Sequence, residues 1–286
     1  MKKPDIVLMT DFGLNWGTVA SMHGVCKTVD RDLEIHDLSH TIAPYHVLAA
    51  SNCLQYTMPY WPKGTIFVSV VDPGVGTARK ACVAKTANGY YVVTPDNGTL
   101  THLVKMVGIE EIREIDERVN RYPGSEKVAV FHGRDIFAYC AARLAAGMIT
   151  FEGVGPSYST DEIILAPFAF GTVGNGWAEG LVEEANEHFG NLSSNILIKD
   201  FEKTGIRIGD MVRVVIEENN TVKMDLEMPY QKSFGHVKLY EPILYNGLAH
   251  FMGLGLNQSS MAGQYGILGG ADTCIKIKKT NMGKDQ

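Results

Sequence analysis

No C-x-x-C pair occurs among the five cysteines, Cys26, Cys53, Cys82, Cys140 and Cys274. Their scatter excludes a C-x-x-C zinc or redox motif, and their odd number argues against a complete disulfide framework. Each lies in an apolar stretch, so all are expected to be reduced core thiols. No apolar run approaches the roughly 18 residues of a membrane span. Met1-Lys2-Lys3-Pro4 leads straight into a strand-like segment without the apolar region of a signal peptide, so a cytoplasmic protein is expected. An excess of positive charge is also missing, since 26 Lys and Arg against 32 Asp and Glu give a net charge of −6. Nucleic acid and anionic membranes select for basic patches, so neither is expected as the main partner.

What is present is a chain of 286 residues, 45% hydrophobic and 20% charged, enough for one large domain or two modest ones. From Asp5 to about Leu144, short apolar runs alternate with helical patterns. The runs are Ile6–Met9, Leu33–Ile35, Ile66–Val71, Tyr90–Val93 and Val128–Phe131, and the helices are expected near 15–28, 45–57, 98–107 and 134–146. That alternation predicts an α/β domain with a mostly parallel sheet. From about Gly171 the helical period gives way to short strands, among them Met211–Ile216, Val222–Met228, Val237–Leu239, Ala249–Met252 and Thr273–Ile277. A smaller C-terminal all-β, barrel-like domain is expected there. The boundaries fall at 1–165 and 171–280, with Ala166-Pro167-Phe168-Ala169-Phe170 as linker and a frayed tail from Lys278 to Gln286.

Ligands of open α/β sheets bind at the carboxyl ends of strands. Asp11, Asp72, Asp96 and His132 are each expected at such an end, each within a glycine-containing turn. Plainer roles remain open for all four. Asp11 and Asp96 could cap the following helices, Asp72 could brace the Pro73-Gly74 turn, and His132 could be a hydrogen-bonded surface histidine. His132 also stands ahead of a helix, where the dipole favours an anion. His36, His40 and His46 read as loop or structural residues. Asp11-Phe12-Gly13 lacks the other kinase motifs, Gly74 to Lys80 is not a Walker A loop, and H-E-x-x-H is absent. Asp11, Asp72, Asp96 and His132 are nevertheless hard-metal ligand types, so a metal-dependent phosphohydrolase stays in view.

Four segments carry a resemblance. They are Leu8-Met9-Thr10-Asp11-Phe12-Gly13, Val71-Asp72-Pro73-Gly74-Val75-Gly76-Thr77-Ala78-Arg79, Pro95-Asp96-Asn97-Gly98 and Phe131-His132-Gly133-Arg134-Asp135-Ile136-Phe137-Ala138. In this order they resemble the S-adenosylmethionine hydroxide adenosyltransferases, relatives of the fluorinase and chlorinase enzymes. Phe189-Gly190-Asn191 adds to the match, which thins after about Asn195. The resemblance implies a two-domain homotrimer with active sites shared between subunits. It further implies a metal-independent hydrolase that displaces the 5′ group of S-adenosylmethionine with water or hydroxide, giving adenosine and L-methionine. No cofactor is expected.

By the same resemblance Asp72, Arg79 and His132 form the catalytic set of the water-using branch. His132 would accept a proton from water or hold hydroxide, Arg79 would supply fixed positive charge, and Asp72 would orient Arg79. Asp11 would take the ribose hydroxyls, Tyr45 would flank the ribose, and Asn191 would read the adenine edge. Asn186 and Phe189 complete the expected substrate-binding set. The sequence departs from the family where the amino-acid end of the substrate is held. Trp16, Asn186, Gly247 and Leu248 stand at those positions and bring no charge. Burying a zwitterion there would cost several kcal/mol unless other groups pair with it. A 5′-substituted adenosine without the methionine tail, or a non-catalytic adenosine-binding protein, are therefore the alternatives.

Overall fold

The computed structural model describes residues 2–280, and the chain divides between Phe168 and Ala169 into two compact units. The first is built on a seven-stranded sheet. Its strands are β1 (Ile6–Thr10), β2 (Ile35–Ser39), β3 (Ile66–Val70), β4 (Ala81–Thr86), β5 (Tyr91–Pro95), β6 (Ile109–Glu114) and β7 (Ser157–Tyr158), in the order β2-β1-β3-β5-β4-β6-β7. From β2 through β1 and β3 to β5 the strands run parallel, whereas β4, β6 and β7 extend the sheet antiparallel. All five residues of β1 are buried because both faces of the sheet are covered. Ile6 and Leu8 pack on one side with α1 (Thr18–Val29) and the helix ending at Ala145, while Val7 and Met9 face α2 (Val47–Thr57) and α3 (Thr101–Met106) on the other.

Two expectations fail in this unit. Val128–Phe131 forms no strand: it runs as a loop in which Val130 is exposed, so His132 follows a loop rather than a strand end. Val128, Val130 and Phe131 are good strand formers, but no neighbouring strand pairs with them, and isolated propensity does not make a strand. The helix that follows opens as a wide π-helical turn, Gly133–Ala138, after the short α4 (Glu117–Asn120) earlier in the chain, and continues as α5 (Tyr139–Ala145). Such turns are frequent at functional sites.

The second unit is an antiparallel sheet of eight strands: β8 (Thr172–Gly174), β9 (Trp177–Ala185), β10 (Leu192–Leu197), β11 (Met211–Glu218), β12 (Thr221–Pro229), β13 (Pro242–Asn246), β14 (Phe251–Leu256) and β15 (Thr273–Lys279). The order β12-β11-β15-β9-β10-β14-β13 curls until Tyr230, just past β12, bridges to Leu244 in β13. This is the barrel-like closure expected from the sequence. Val212, Val214 and Ile216 point into its core beside Met224 and Met228. A register shift after Ile216 turns Val222 outward, which breaks the alternation read along that strand. Val237–Leu239 is not a strand, because the chain there makes a tight helical turn at Phe234–His236 and then bends. Cys274 is exposed on β15, unlike the buried Cys26, Cys82 and Cys140. Lys278 and Lys279, expected to be frayed, extend β15, and Lys279 pairs with Asp210 at 2.6 Å. Residues 281–286 of the expected tail lie outside the described residues.

Candidate active site

The four motif segments, far apart in the chain, interlock in the first unit. Asp72 follows β3, and the loop after it doubles back through Thr77, whose hydroxyl donates to the Gly74 carbonyl at 2.7 Å. The turn brings Arg79 onto Asp72. Arg79 Nε lies 3.0 Å from both carboxylate oxygens and Nη2 lies 2.5 Å from Oδ2. The same Nη2 donates to His132 Nδ1 at 2.9 Å. Arg79 also stacks over the Phe137 ring, 5.2 Å from its centroid. Gly76 takes φ +77, and a Cβ there would stand 3.1 Å from the Ala129 carbonyl oxygen, so the Asp72 loop and the segment before His132 close on each other only at glycine. A Cβ on Gly133 would lie 2.9 Å from two ring atoms of Phe12, so the first motif packs directly on the fourth. Asn97 of the third motif donates to the Val71 carbonyl of the second at 2.9 Å.

The side chains of Asp72 and Arg79 are 4% and 9% exposed, so their charges face each other rather than water. Removing one partner of such a buried pair typically costs about 3–5 kcal/mol, because the other is left uncompensated. Arginine only donates hydrogen bonds, so the neutral ring accepts Arg79 at Nδ1, the nearer of its two arginine contacts, and carries its proton on Nε2. On that side Arg121 Nη2 stands 3.4 Å away, held by Glu117 at 2.7 Å. Burial, then the charge of Arg79, push the His132 pKa below its ordinary 6.5, with Arg121 adding to the effect and Glu117 and Asp72 opposing it. His132 is thus a neutral imidazole near pH 7. The expected role of proton acceptor is altered by this geometry, since the Nδ1 lone pair is free only after Arg79 moves off it.

Asp11, just past β1, does not cap α1, whose N-terminal Gly17 has no side-chain cap. Its Oδ2 instead accepts the backbone N–H of Tyr45 at 2.9 Å. Tyr45 holds φ +67 and its ring is exposed, and that bond joins the two expected ribose-side residues from separate loops, one after β1 and one ahead of α2. Asp96 is buried and does not cap a helix either. Its oxygens accept Tyr158 Oη at 3.0 Å and Ile164 N at 2.9 Å, and burial raises its carboxyl pKa against the pull of those bonds. With Asp72 and His132 on Arg79, Asp11 on Tyr45 and Asp96 on Tyr158, all four candidate metal ligands have other partners. Among the described residues the one close ligand group is Asp5, Glu34 and His36, which excludes all four. These four donors therefore do not converge on one point among the described residues.

Asn186, Phe189 and Asn191 lie in the second unit, on the turn between β9 and β10. Asn186 Oδ1 accepts the N–H groups of His188 at 3.1 Å and Phe189 at 2.7 Å, and its backbone N–H donates to the Asn191 carbonyl at 2.8 Å. The Asn186 oxygen therefore shapes the turn rather than presenting itself to a ligand. Phe189 is exposed, as are Trp16 in the first unit and Leu248 in the second. Asn246, beside Gly247, accepts Tyr230 Oη at 2.7 Å. Arg121 and Glu117 were not legible as site residues. They lie 11 and 15 positions ahead of His132, across an irregular loop, and nothing in their local sequence marks the contact.

An α/β unit in which the loop after β3 and the start of the π-helical turn hold a carboxylate–guanidinium–imidazole chain, followed by an antiparallel barrel-like unit, defines the class of protein. The chain matches the SAM hydroxide adenosyltransferase N-terminal domain over residues 6–155 and the C-terminal domain of that name over residues 186–274, and it belongs to this family. It is 41% identical over 143 residues to an (R)-S-adenosyl-L-methionine hydrolase of Methanocaldococcus jannaschii, covering 49% of this chain and 52% of that protein, so this match spans about half the relative's length. It is 26% identical over 296 residues to a fluorinase of an Actinoplanes species, covering 95% of this chain and 97% of the fluorinase. The crystal structure of an uncharacterized conserved protein from Thermotoga maritima superposes with a TM-score of 0.86 at 33% identity, over 96% of this chain and 99% of that one.

The site's electrostatics set a pH dependence. If neutral His132 is the working form, activity is lost where His132 protonates, and its pKa lies below 6.5. A kcat/KM profile, which reports groups of the free enzyme, should be level from about pH 7 to 8 and fall only on the acid side of 6.5. An acid limb centred above that value contradicts a buried His132 flanked by guanidinium groups.

Proposed function

We propose that this protein is a hydrolase that displaces the 5′ group of S-adenosylmethionine with water, giving adenosine and L-methionine. The observation that carries the reading is the continuous Asp72–Arg79–His132 contact. A sulfonium already activates its 5′ carbon, so the protein has mainly to place a water oxygen in line and keep competitors out. The oxygen bonds to C5′ as the C5′–S bond breaks, and the bonding pair leaves with sulfur, which becomes the neutral thioether of methionine. The proton lost by water goes to solvent, or to His132 once Arg79 has moved off Nδ1. Arg79 stabilises the hydroxide-like oxygen, and Asp72 keeps Arg79 from turning toward other anions. Asp11 takes the ribose hydroxyls beside Tyr45, and Phe189 and Asn191 receive the adenine. The reading uses no metal and no cofactor.

Sequence similarity supports water over halide as nucleophile, since at near-complete coverage identity to an (R)-S-adenosyl-L-methionine hydrolase of Thermus thermophilus is 31% and to the fluorinase 26%. A homotrimer with sites shared between subunits, and a cytoplasmic location, belong to the same reading. Among the described residues no helix is long and apolar enough to cross a membrane. His132→Ala should lower the rate of 5′ displacement by roughly 10²–10⁴ while leaving adenosine affinity nearly unchanged. Near-normal turnover in that variant removes His132 from the chemistry.

A second reading keeps the chemistry and changes the substrate to a 5′-substituted adenosine without a methionine tail. Trp16 and Leu248 are 79% and 69% exposed, and together with Gly247 and an Asn186 whose oxygen already serves its turn they offer no charge to a zwitterion. Parallel calorimetric titrations of adenosine, 5′-methylthioadenosine and both sulfonium epimers of S-adenosylmethionine separate the two. On this second reading S-adenosylmethionine binds less than a hundredfold tighter than adenosine, a gap of under about 2.7 kcal/mol. A larger gap means that other groups hold the methionine end.

A further inference from the structure

Thr10, the last residue of β1, is fully buried, and its hydroxyl has two partners. It accepts the Phe12 N–H at 3.1 Å and lies 2.8 Å from His40 Nδ1. His40, just past β2 and 4% exposed, continues the chain from Nε2 to Asp37 Oδ1 at 3.0 Å. Asp37 Oδ1 also meets His23 Nε2 of α1 at 2.7 Å. The backbone carbonyl of His40 accepts the Gly13 N–H at 2.8 Å. The proton positions follow. The Asp37 carboxylate only accepts, so His40 Nε2 donates to it, and the tautomer with its proton there leaves Nδ1 to accept the Thr10 hydroxyl. Burial opposes the negative charge of Asp37, but the bonds from His40 and His23 outweigh it and hold its carboxyl below the usual value.

A hydroxyl, an imidazole and a carboxylate in this order have the contacts of a nucleophilic triad. Thr10 cannot act as one, because it is 0% exposed and its hydroxyl is already accepting from the backbone. The network instead encloses Asp11. Thr10 Oγ fixes the residue after Asp11, and the His40 carbonyl fixes the one beyond. The remaining side of the loop is tied where Asp11 itself accepts the Tyr45 N–H.

We infer that His40, acting through Thr10, is a positioning residue that aims the Asp11 carboxylate and so sets selectivity for a ribose with both hydroxyls. This rests on the reading in which Asp11 holds the ribose. Thr10→Val keeps the side-chain shape and deletes the hydroxyl, whereas Thr10→Ser keeps the hydroxyl. In the intact chain, Thr10→Val should weaken adenosine binding about tenfold, or 1.4 kcal/mol, and leave 2′,3′-dideoxyadenosine unchanged. Thr10→Ser should restore most of the loss. In an Asp11→Asn background Thr10→Val should add little, since both changes then act on one interaction. Equal losses for the two ligands, no loss for either, or full additivity overturn the inference.

Asp11→Asn alone tests the ribose reading separately. If it separates the two ligands and Thr10→Val does not, the ribose reading stands and the role of His40 falls. If it does not separate them, the ribose reading fails and the selectivity inference fails with it. Amide exchange then reports only whether the pin itself exists, with Phe12 and Gly13 exchanging faster in Thr10→Val and unchanged exchange showing that it does not. Should Thr10→Val fail to fold, His40→Gln carries the same ligand comparison.

Discussion

A guanidinium held between a buried carboxylate and a neutral imidazole is the constraint on which the rest of the site depends. Asp72 and Arg79 are largely withdrawn from solvent, and each is tolerable there only because of the other. Burial does most to keep His132 uncharged, and the pair adds to it, since a fixed positive charge 2.9 Å from Nδ1 disfavours a second one on the ring. The pair also favours the tautomer protonated on Nε2, because arginine has no lone pair to offer and Arg79 is the nearer of the two arginines on the ring. Arg121, tied to Glu117, places a second guanidinium on the far side of the same ring. The imidazole is thereby kept uncharged beside two permanent cations. An oxygen nucleophile acquiring negative charge is favoured in such a field, and a cationic competitor is not.

The scaffold brings that chain together by close packing at glycine. Phe12 packs on Gly133 and Ala129 closes over Gly76, so the loops after β1 and β3 and the segment entering the π-helical turn approach more closely than side chains would allow. Asn97 ties the loop after β5 to the same place. Asp96, at the head of that loop, holds Tyr158 and the backbone at Ile164, which fastens the last part of the first unit to the sheet. Its charge serves the fold, while that of Asp72 serves the site, although both follow parallel strands in similar turns.

How much of this could be read in the sequence follows from which forces are local. β1, β3 and β5 were legible because burial on both faces leaves continuous apolar runs. β4 and β6 were not, since Lys85, Glu110, Arg113 and their neighbours place polar groups along antiparallel strands that an α/β pattern does not anticipate. Val128–Phe131 misled for the opposite reason, having strand composition without a partner strand. In the second unit β8, β9, β10 and β13 were missed, and Val237–Leu239 was taken for a strand where the chain turns. Asp72, Arg79 and His132 were legible from their motifs, and the structure brings these three into contact. Asp11 and Tyr45 also meet, whereas the oxygen of Asn186 is taken by its own turn. The contact of Arg121 with His132 and the Thr10–His40–Asp37 chain depend on tertiary placement, which no local pattern encodes.

The central claim is that an oxygen from water ends on the 5′ carbon of adenosine. The direct test is to incubate the protein with S-adenosylmethionine in ¹⁸O-labelled water and analyse both products by mass spectrometry. The account predicts adenosine carrying one ¹⁸O at its 5′ hydroxyl and methionine carrying none. Unlabelled adenosine, or no adenosine alongside a bound and intact nucleoside, contradicts it.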